Sequence, residues 1–414
     1  MNKIIIQLPE IENQKITYSY DVLGEWNEAF NNSNEFFIEY SCDLSSLPLG
    51  VAIVPLLANI LPISWVYDAE IVAPICDEDF YNSINDFKKG YIDMYPTMNF
   101  GGKLTVEKIE KNIVDKQNGC AAFFSGGVDA FNTLTQHFEE KPSLITLWGA
   151  DVKLEDVKGF ENVENHLRKT ATDFGVDYFV VKTSFRKFLN ESVLDKKVEL
   201  SGDGWWHGFQ HGIGIISHST PLMFALGKKT VYFASSFTAE GKGMVTCASD
   251  PTIDNFVRFC GCNVVHDGYE FNRQMKIHNI TQFSKNTGKT IPLRVCWEST
   301  GGSNCCNCEK CWRTIMGIYA EGENPHDYGF EYSDEQFSKL SKRLRYSGDK
   351  MLESSRRLLT YKPIQDSMRK NNNKNDLPKS IRWFYDVDIN KLGKRPIWMK
   401  IYYKLRLIVH RIIK

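Results

Sequence analysis

Hydrophobic and polar positions divide this chain into stretches of different period. In the first 110 residues, IIIQL, KITYSY and EFFIEYS are short runs of branched and aromatic residues with strand composition. DEDFYNSINDFKKGYIDMYP follows with apolar residues at helical spacing. The pattern predicts an α+β region over 1–112. From 113 to 320 strands and helices alternate. AAFFSGG, LITLWGADV, DYFVVKTS and TVYFASS read as strands, and DAFNTLTQHF, ENVENHLRKTATDFG and HGIGIISHSTPLMFALG as the helices between them. That alternation predicts βαβ units and an α/β fold built on a doubly wound parallel sheet, whose ligands bind beyond the carboxyl ends of the strands.

Residues 321–368 read as a helical extension, with Ser333 and Gln336 spaced as a capping box. MRKNNNKNDLPKS reads as a linker over 369–380. A basic, apolar tail covers 381–414. At about 100° per residue, Lys400, Lys404, Arg411 and Lys414 share one arc of it, and Trp398, Ile401, Leu405, Ile408, Val409 and Ile412 the opposite face. Such a face docks on protein, or else makes peripheral contact with an anionic membrane.

The stretch between Asp43 and Asp68 is free of charge and long enough to span a bilayer. Pro48, Pro55 and Pro62 punctuate it, Asn59 lies inside it, and no Lys or Arg flanks it to set an orientation. It reads as a buried helix near 51–61 and a strand near 63–72. The three isoleucines after Lys3 are too short a run for a secretory signal, so the expected location is the cytoplasm. With 50 Lys+Arg against 51 Asp+Glu, the charge balance gives no strong nucleic-acid signal. Oligomerisation is left open.

Eleven cysteines are present, and five of them crowd between Cys296 and Cys311. Cys296, Cys305, Cys308 and Cys311 form C-x8-C-x2-C-x2-C, the spacing of a closed four-thiolate Zn²⁺ site with Cys306 as the spare. An iron–sulfur cluster also uses four thiolates, and a run of buried cysteines is the plain alternative. Ser125-Gly126-Gly127-Val128-Asp129-Ala130 follows an apolar strand and opens a helix. Small residues let a backbone approach phosphate, and the first N–H groups of a helix point at it. Asp129 would cap the helix or help to hold Mg²⁺. An ordinary strand-to-helix turn has the same outline.

SGGVDA resembles the SGGxDS loop of the PP-loop ATP pyrophosphatases, with Ala130 where that family has serine. The cysteine spacing resembles the zinc site of the 7-cyano-7-deazaguanine synthase (QueC) branch, and the two motifs stand in the same order. The resemblance covers roughly 118–320. It implies an adenine nucleotide alpha hydrolase-like, Rossmann-like domain with a zinc knuckle, binding ATP on Ser125–Ala130 with Mg²⁺ and Zn²⁺. It also implies a QueC-like ligase that adenylates a carboxylate or amide, yielding AMP and pyrophosphate on the way to an amide or nitrile. The acceptor is a small molecule or modified base of the 7-deazaguanine type, or a protein. An RNA-thiolating PP-loop enzyme and a non-catalytic nucleotide-binding scaffold are the alternatives. Asp129, Arg273 and Lys276 are the candidate catalytic residues, the two cations placed to neutralise phosphate, although a solvated helix face has the same spacing. Trp205, Trp206, His207 and His211 are candidates for stacking on a heterocycle, or for ordinary packing. Asp250 and Asp254 are candidates for Mg²⁺ or for a helix cap.

Overall fold

The computed structural model describes residues 2–31, 35–114, 117–296, 302–346 and 356–392. The tail beyond 392 lies outside the described residues, so its expected face is not addressed. By their contacts the described residues form two compact units. Met1–Ser125 with Asp129–Glu270 is the first, and Gly126–Val128 with the residues from Phe271 onward is the second.

The first unit holds thirteen strands: β1 (Lys3–Ile6), β2 (Glu10–Glu12), β3 (Lys15–Tyr18), β4 (Tyr20–Leu23), β5 (Phe36–Tyr40), β6 (Glu70–Asp77), β7 (Lys103–Glu110), β8 (Cys120–Phe123), β9 (Ser143–Trp148), β10 (Tyr178–Thr183), β11 (Thr230–Ala234), β12 (Arg258–Phe259) and β13 (Cys262–Asp267). They make a four-stranded sheet, β4-β1-β6-β7, and a nine-stranded sheet, β12-β13-β11-β8-β9-β10-β5-β3-β2. The fold is therefore α/β, but the larger sheet is mixed. Its five central strands, β13-β11-β8-β9-β10, are parallel. β5, β3 and β2 at one edge and β12 at the other are antiparallel. Three strands of the N-terminal 40 residues thus complete the sheet that the alternating region begins. Read in chain order, the parallel strands run 3-2-1-4-5, and the order reverses between β8 and β11. In open α/β sheets such a reversal opens a crevice at the carboxyl ends of the two strands.

Local sequence explains most elements. Phe36, Ile38 and Tyr40 of β5 are buried and the residues between them are not, the period of two that one covered face requires. The Val157–Phe174 helix buries Phe160, Val163, Leu167, Ala171 and Phe174 at helical spacing. Asp156 accepts the Gly159 N–H at its start, and Gly175, with φ 69°, ends it.

Two expectations are corrected. The helix expected to stop near residue 61 runs over Val54–Tyr67, straight through Pro62, and the following strand starts only at Glu70. Pro62 removes one backbone hydrogen bond, but every residue of that helix is buried, and packing outweighs the loss. The single helix expected over HGIGIISHSTPLMFALG is a chain of short turns. A π-helical turn, Trp206–Gln210, leads into Ile213–Ile216, Ser217–Ser219 and Thr220–Ala225. Among the described residues, no helix is long and apolar enough to cross a membrane.

The second unit is helical: Arg273–Thr287, Glu309–Ala320, Asp334–Tyr346, Arg357–Asn371 and Arg382–Asp386. The stretch read as a linker over 369–380 is packed. The Asn371 and Asn372 side-chain amides donate to the Ala320 carbonyl at 3.0 and 3.2 Å, and Leu377 is buried. These amides satisfy a carbonyl at a helix end that has no partner within the helix.

Candidate functional site

The four expected cysteines come together in the second unit. Every Sγ of Cys296, Cys305, Cys308 and Cys311 lies within 4.8 Å of the others, and the Cys296–Cys308 and Cys305–Cys311 pairs are 3.9 Å apart. Four sulfurs about 2.3 Å from one ion at tetrahedral angles stand about 3.8 Å apart, so the cluster can hold a metal ion such as zinc. Cys308 is the N-cap of the Glu309–Ala320 helix, and its sulfur accepts the Cys311 N–H at 3.4 Å. The Cys305 sulfur accepts the Asn307 N–H at the same distance. Between them Cys306 takes the left-handed conformation, φ 46°, which turns its own side chain away into the core. Sequence reasoning missed Asn304. It accepts the Val295 N–H at 2.9 Å and donates to the Leu293 carbonyl at 2.7 Å, clamping the segment that carries Cys296 to the one that carries Cys305.

The charges of this cluster need a cation. Hydrogen bonds from the Cys311 thiol and the Cys311 N–H bring Cys308 down to about 5. Burial pushes Cys305 up to about 12, and the hydrogen bond to Cys308 pushes Cys311 strongly upward. Four thiolates coexist only around a positive ion.

The glycine loop follows β8. Ser125 is exposed, Gly127 and Asp129 are half-buried, and Gly126, Val128 and Ala130 are buried. Gly126 has φ 76°, a conformation that a side chain would strain. Its carbonyl accepts the Arg294 N–H at 2.7 Å. The Val128–Gln136 helix begins directly after Gly127, with Asp129 in its first turn. β8 is the strand at which the sheet order reverses, so the loop lies at the carboxyl end of a switch-point strand.

The remaining candidates separate. Arg273 and Lys276 lie on the first helix of the second unit. Arg273 donates to the Thr314 hydroxyl at 3.2 Å, and Lys276 is buried, which excludes a solvated helix face for it. Trp205 is fully buried and stacks on Phe209 as a core residue, while the Arg186 guanidinium covers the Trp206 ring at 4.0 Å. Asp250 is a helix cap, accepting from the N–H and the hydroxyl of Thr252. Asp254 is fully buried, with His266 at 2.8 Å and Ser249 at 2.9 Å both on its Oδ2, while its buried Oδ1 accepts no hydrogen bond from the described residues. His207 is paired with Asp203 at 2.9 Å, four positions earlier, and adjoins Cys247. The Asp-x3-His spacing was visible in the sequence; nothing local announced Cys247. Comparison with protein-family models, with curated proteins and with solved structures gave no match.

Proposed function

We propose that this chain is an ATP-dependent, AMP-forming enzyme of the PP-loop class, QueC-like in its chemistry. It activates a carboxylate or amide oxygen for carbon–nitrogen bond formation. The observation that carries this reading is the Ser125–Ala130 loop: a small-residue turn, left-handed at Gly126, between a central parallel strand and a helix start beside the reversal of strand order. N–H groups in such a turn suit phosphate oxygens, and Asp129, in the first turn of the helix, would help to hold a Mg²⁺ ion on them. Mg²⁺ would neutralise charge on the departing pyrophosphate. The substrate oxygen attacks the α-phosphorus, the bond to the β-phosphate oxygen breaks, and pyrophosphate leaves. A nitrogen nucleophile then displaces AMP from the acyl carbon. Zinc on the four cysteines has no open position and serves folding alone.

The test is the identity of the nucleotide product. With ATP, Mg²⁺ and a panel of carboxylates, AMP and pyrophosphate are expected, and ADP would remove the protein from this reaction class. Calorimetry should show ATP binding lost in Gly127→Val and Asp129→Ala; wild-type affinity in both refutes the loop assignment.

A further inference from the structure

Cys247 lies apart from the metal cluster, in the first unit, in a setting built from four elements. Its neighbours in the chain are fastened on both sides. The Thr246 hydroxyl donates to Asp203 Oδ2 at 2.6 Å, and the Ala248 N–H donates to the His207 carbonyl at 2.8 Å. The thiol between them adjoins the His207 and His211 rings. Asp203 is fixed as well. Its Oδ1 meets His207 Nδ1 at 2.9 Å, and its Oδ2 also accepts from the Tyr95 hydroxyl at 3.1 Å. With Nδ1 taken by a carboxylate, Nε2 is the ring nitrogen left for the thiol. His207 lies in the π-helical turn and His211 directly follows it, a geometry found often at functional sites.

Two glycines let that turn approach. A Cβ at Gly208 would lie 2.7 Å from the Tyr95 hydroxyl, and one at Gly212 would lie 2.2 Å from the Ala248 carbonyl. The rings of His207 and His211 meet Phe237 and Phe233 edge-on. Phe233 is the penultimate residue of β11, so the His211 ring lies toward the carboxyl end of the second switch-point strand.

We propose that Cys247 is a nucleophile that carries an acyl group as a thioester. In this assignment His207 is its acid–base partner and Asp203 the residue that positions His207. The substrate class is an activated carboxylate, an acyl phosphate or acyl adenylate. The thiolate attacks the carbonyl carbon, the S–C bond forms, and the C–O bond to phosphate breaks with its electron pair going to the leaving group. That phosphate needs no proton, so the one held on His207 Nε2 passes to solvent. The neutral ring then takes a proton from an incoming nitrogen nucleophile as the C–S bond breaks and the thiolate is restored. Only the source of the acyl donor rests on the reading above.

The electrostatics agree with the geometry. Burial pushes the Cys247 thiol up, but the hydrogen bonds from His207 and His211 outweigh it and bring it down to about 7. Hydrogen bonds to Asp203 and Cys247 lift His207 to about 10. Tyr91 and Tyr95 also face the thiol; burial pushes both well above their ordinary value, and they stay neutral. Asp254 faces Tyr91 and His211.

The experiment uses the full chain without nucleotide. Iodoacetamide alkylation is followed by peptide mapping from pH 5 to 10, with the more exposed Cys42, whose thiol burial and Asp43 push upward, as internal reference. Cys247 should react about ten-fold faster than Cys42 at pH 7, with a midpoint near 7 that moves upward in Asp203→Asn. Acetyl phosphate should leave on Cys247 an acetyl group that hydroxylamine removes, and His207→Gln should abolish it. Slower reaction than Cys42, or a rise only near pH 9, overturns the nucleophile; an unacetylated but reactive Cys247 overturns the acyl transfer. The wild-type profile decides even if a variant fails to fold. Because no ATP is present, failure here leaves the AMP-forming reading standing, and the reverse also holds.

Discussion

Among the described residues, Cys308 and Cys247 are the two cysteines held below the ordinary thiol range, and opposite kinds of neighbour hold them there. Cys308 faces three more sulfurs and a backbone N–H. Its partners are thiols and a backbone N–H. Cys247 faces two imidazoles, one of them held protonated by a half-buried carboxylate. A thiolate among thiols calls for a metal; a thiolate beside an imidazolium already has its counter-charge and stays available to react. The same residue type is structural in one unit and chemical in the other because of what surrounds it.

The strongest way to break this contrast is to remove one sulfur from each setting. Cys311→Ser should reduce the metal from one ion per chain to near zero by elemental analysis. It should cost several kcal/mol, since metal binding at such sites is folding free energy, and lower the calorimetric midpoint by about 10 °C or more. Cys247→Ser should cost about 1 kcal/mol and leave the metal in place. Equal losses would erase the distinction.

A smaller effect comes from acid. His218 is fully buried, its Nδ1 on the Gly214 carbonyl and its Nε2 3.0 Å from the Thr183 hydroxyl. Burial lowers it to about 4. The unfolded chain therefore binds a proton that the folded chain refuses. The stability is complete above about pH 6.5 and is lost as pH falls from there to 4, by about 3 kcal/mol. His207, raised to about 10, has the opposite sign: its contribution is complete below about pH 6.5 and fades as pH rises through 10. Urea titrations of wild type and His218→Asn should show the acid slope flattened in the variant, and an unchanged slope would refute the assignment.

The smallest effect serves as a control in the second unit. Ser333 accepts the Gln336 N–H at 3.2 Å and caps the Asp334–Tyr346 helix. Ser333→Ala should cost about 1 kcal/mol, lower the midpoint by about 2–4 °C, and leave the metal bound. Metal loss here would mean that the cluster depends on general stability rather than on its own sulfurs.

The parts legible in the sequence share one property: their cause is local. Spacing marked the four clustered cysteines, four of the five strands of the parallel core, the Ser333 cap and the turn at Gly126 because each depends on residues a few positions apart. The Gln336 half of the expected capping box did not form, since that side chain reaches the Cys305 carbonyl at 3.5 Å instead of its own helix start. The helix through Pro62 was misread because burial on all sides, invisible in a local window, overrode a local breaker. Asn371 and Asn372 read as linker because polar residues say nothing about which distant carbonyl they meet. Cys247 was passed over for the same reason: Asp203 and His207 stand four apart, but the thiol comes 40 positions after His207, brought back by two hydrogen bonds.

The antiparallel edge of the large sheet has a consequence for the order in which the chain is made. β5 is complete by residue 40, yet its partner β10 begins at Tyr178, and the Val180 N–H bonds the Ser41 hydroxyl across 139 positions. At roughly 5–20 residues per second, a ribosome needs on the order of ten seconds or more to deliver that partner. During that interval β2, β3 and β5 can pair only with one another, leaving one side of β5 open to any passing strand. Lys15 and Glu39, paired on neighbouring strands with their side chains directed away from the buried face, put charge on that waiting edge. Glu39 then becomes the acceptor for Lys182 at 3.3 Å, so the residue that discourages a wrong partner during synthesis greets the right one when it arrives.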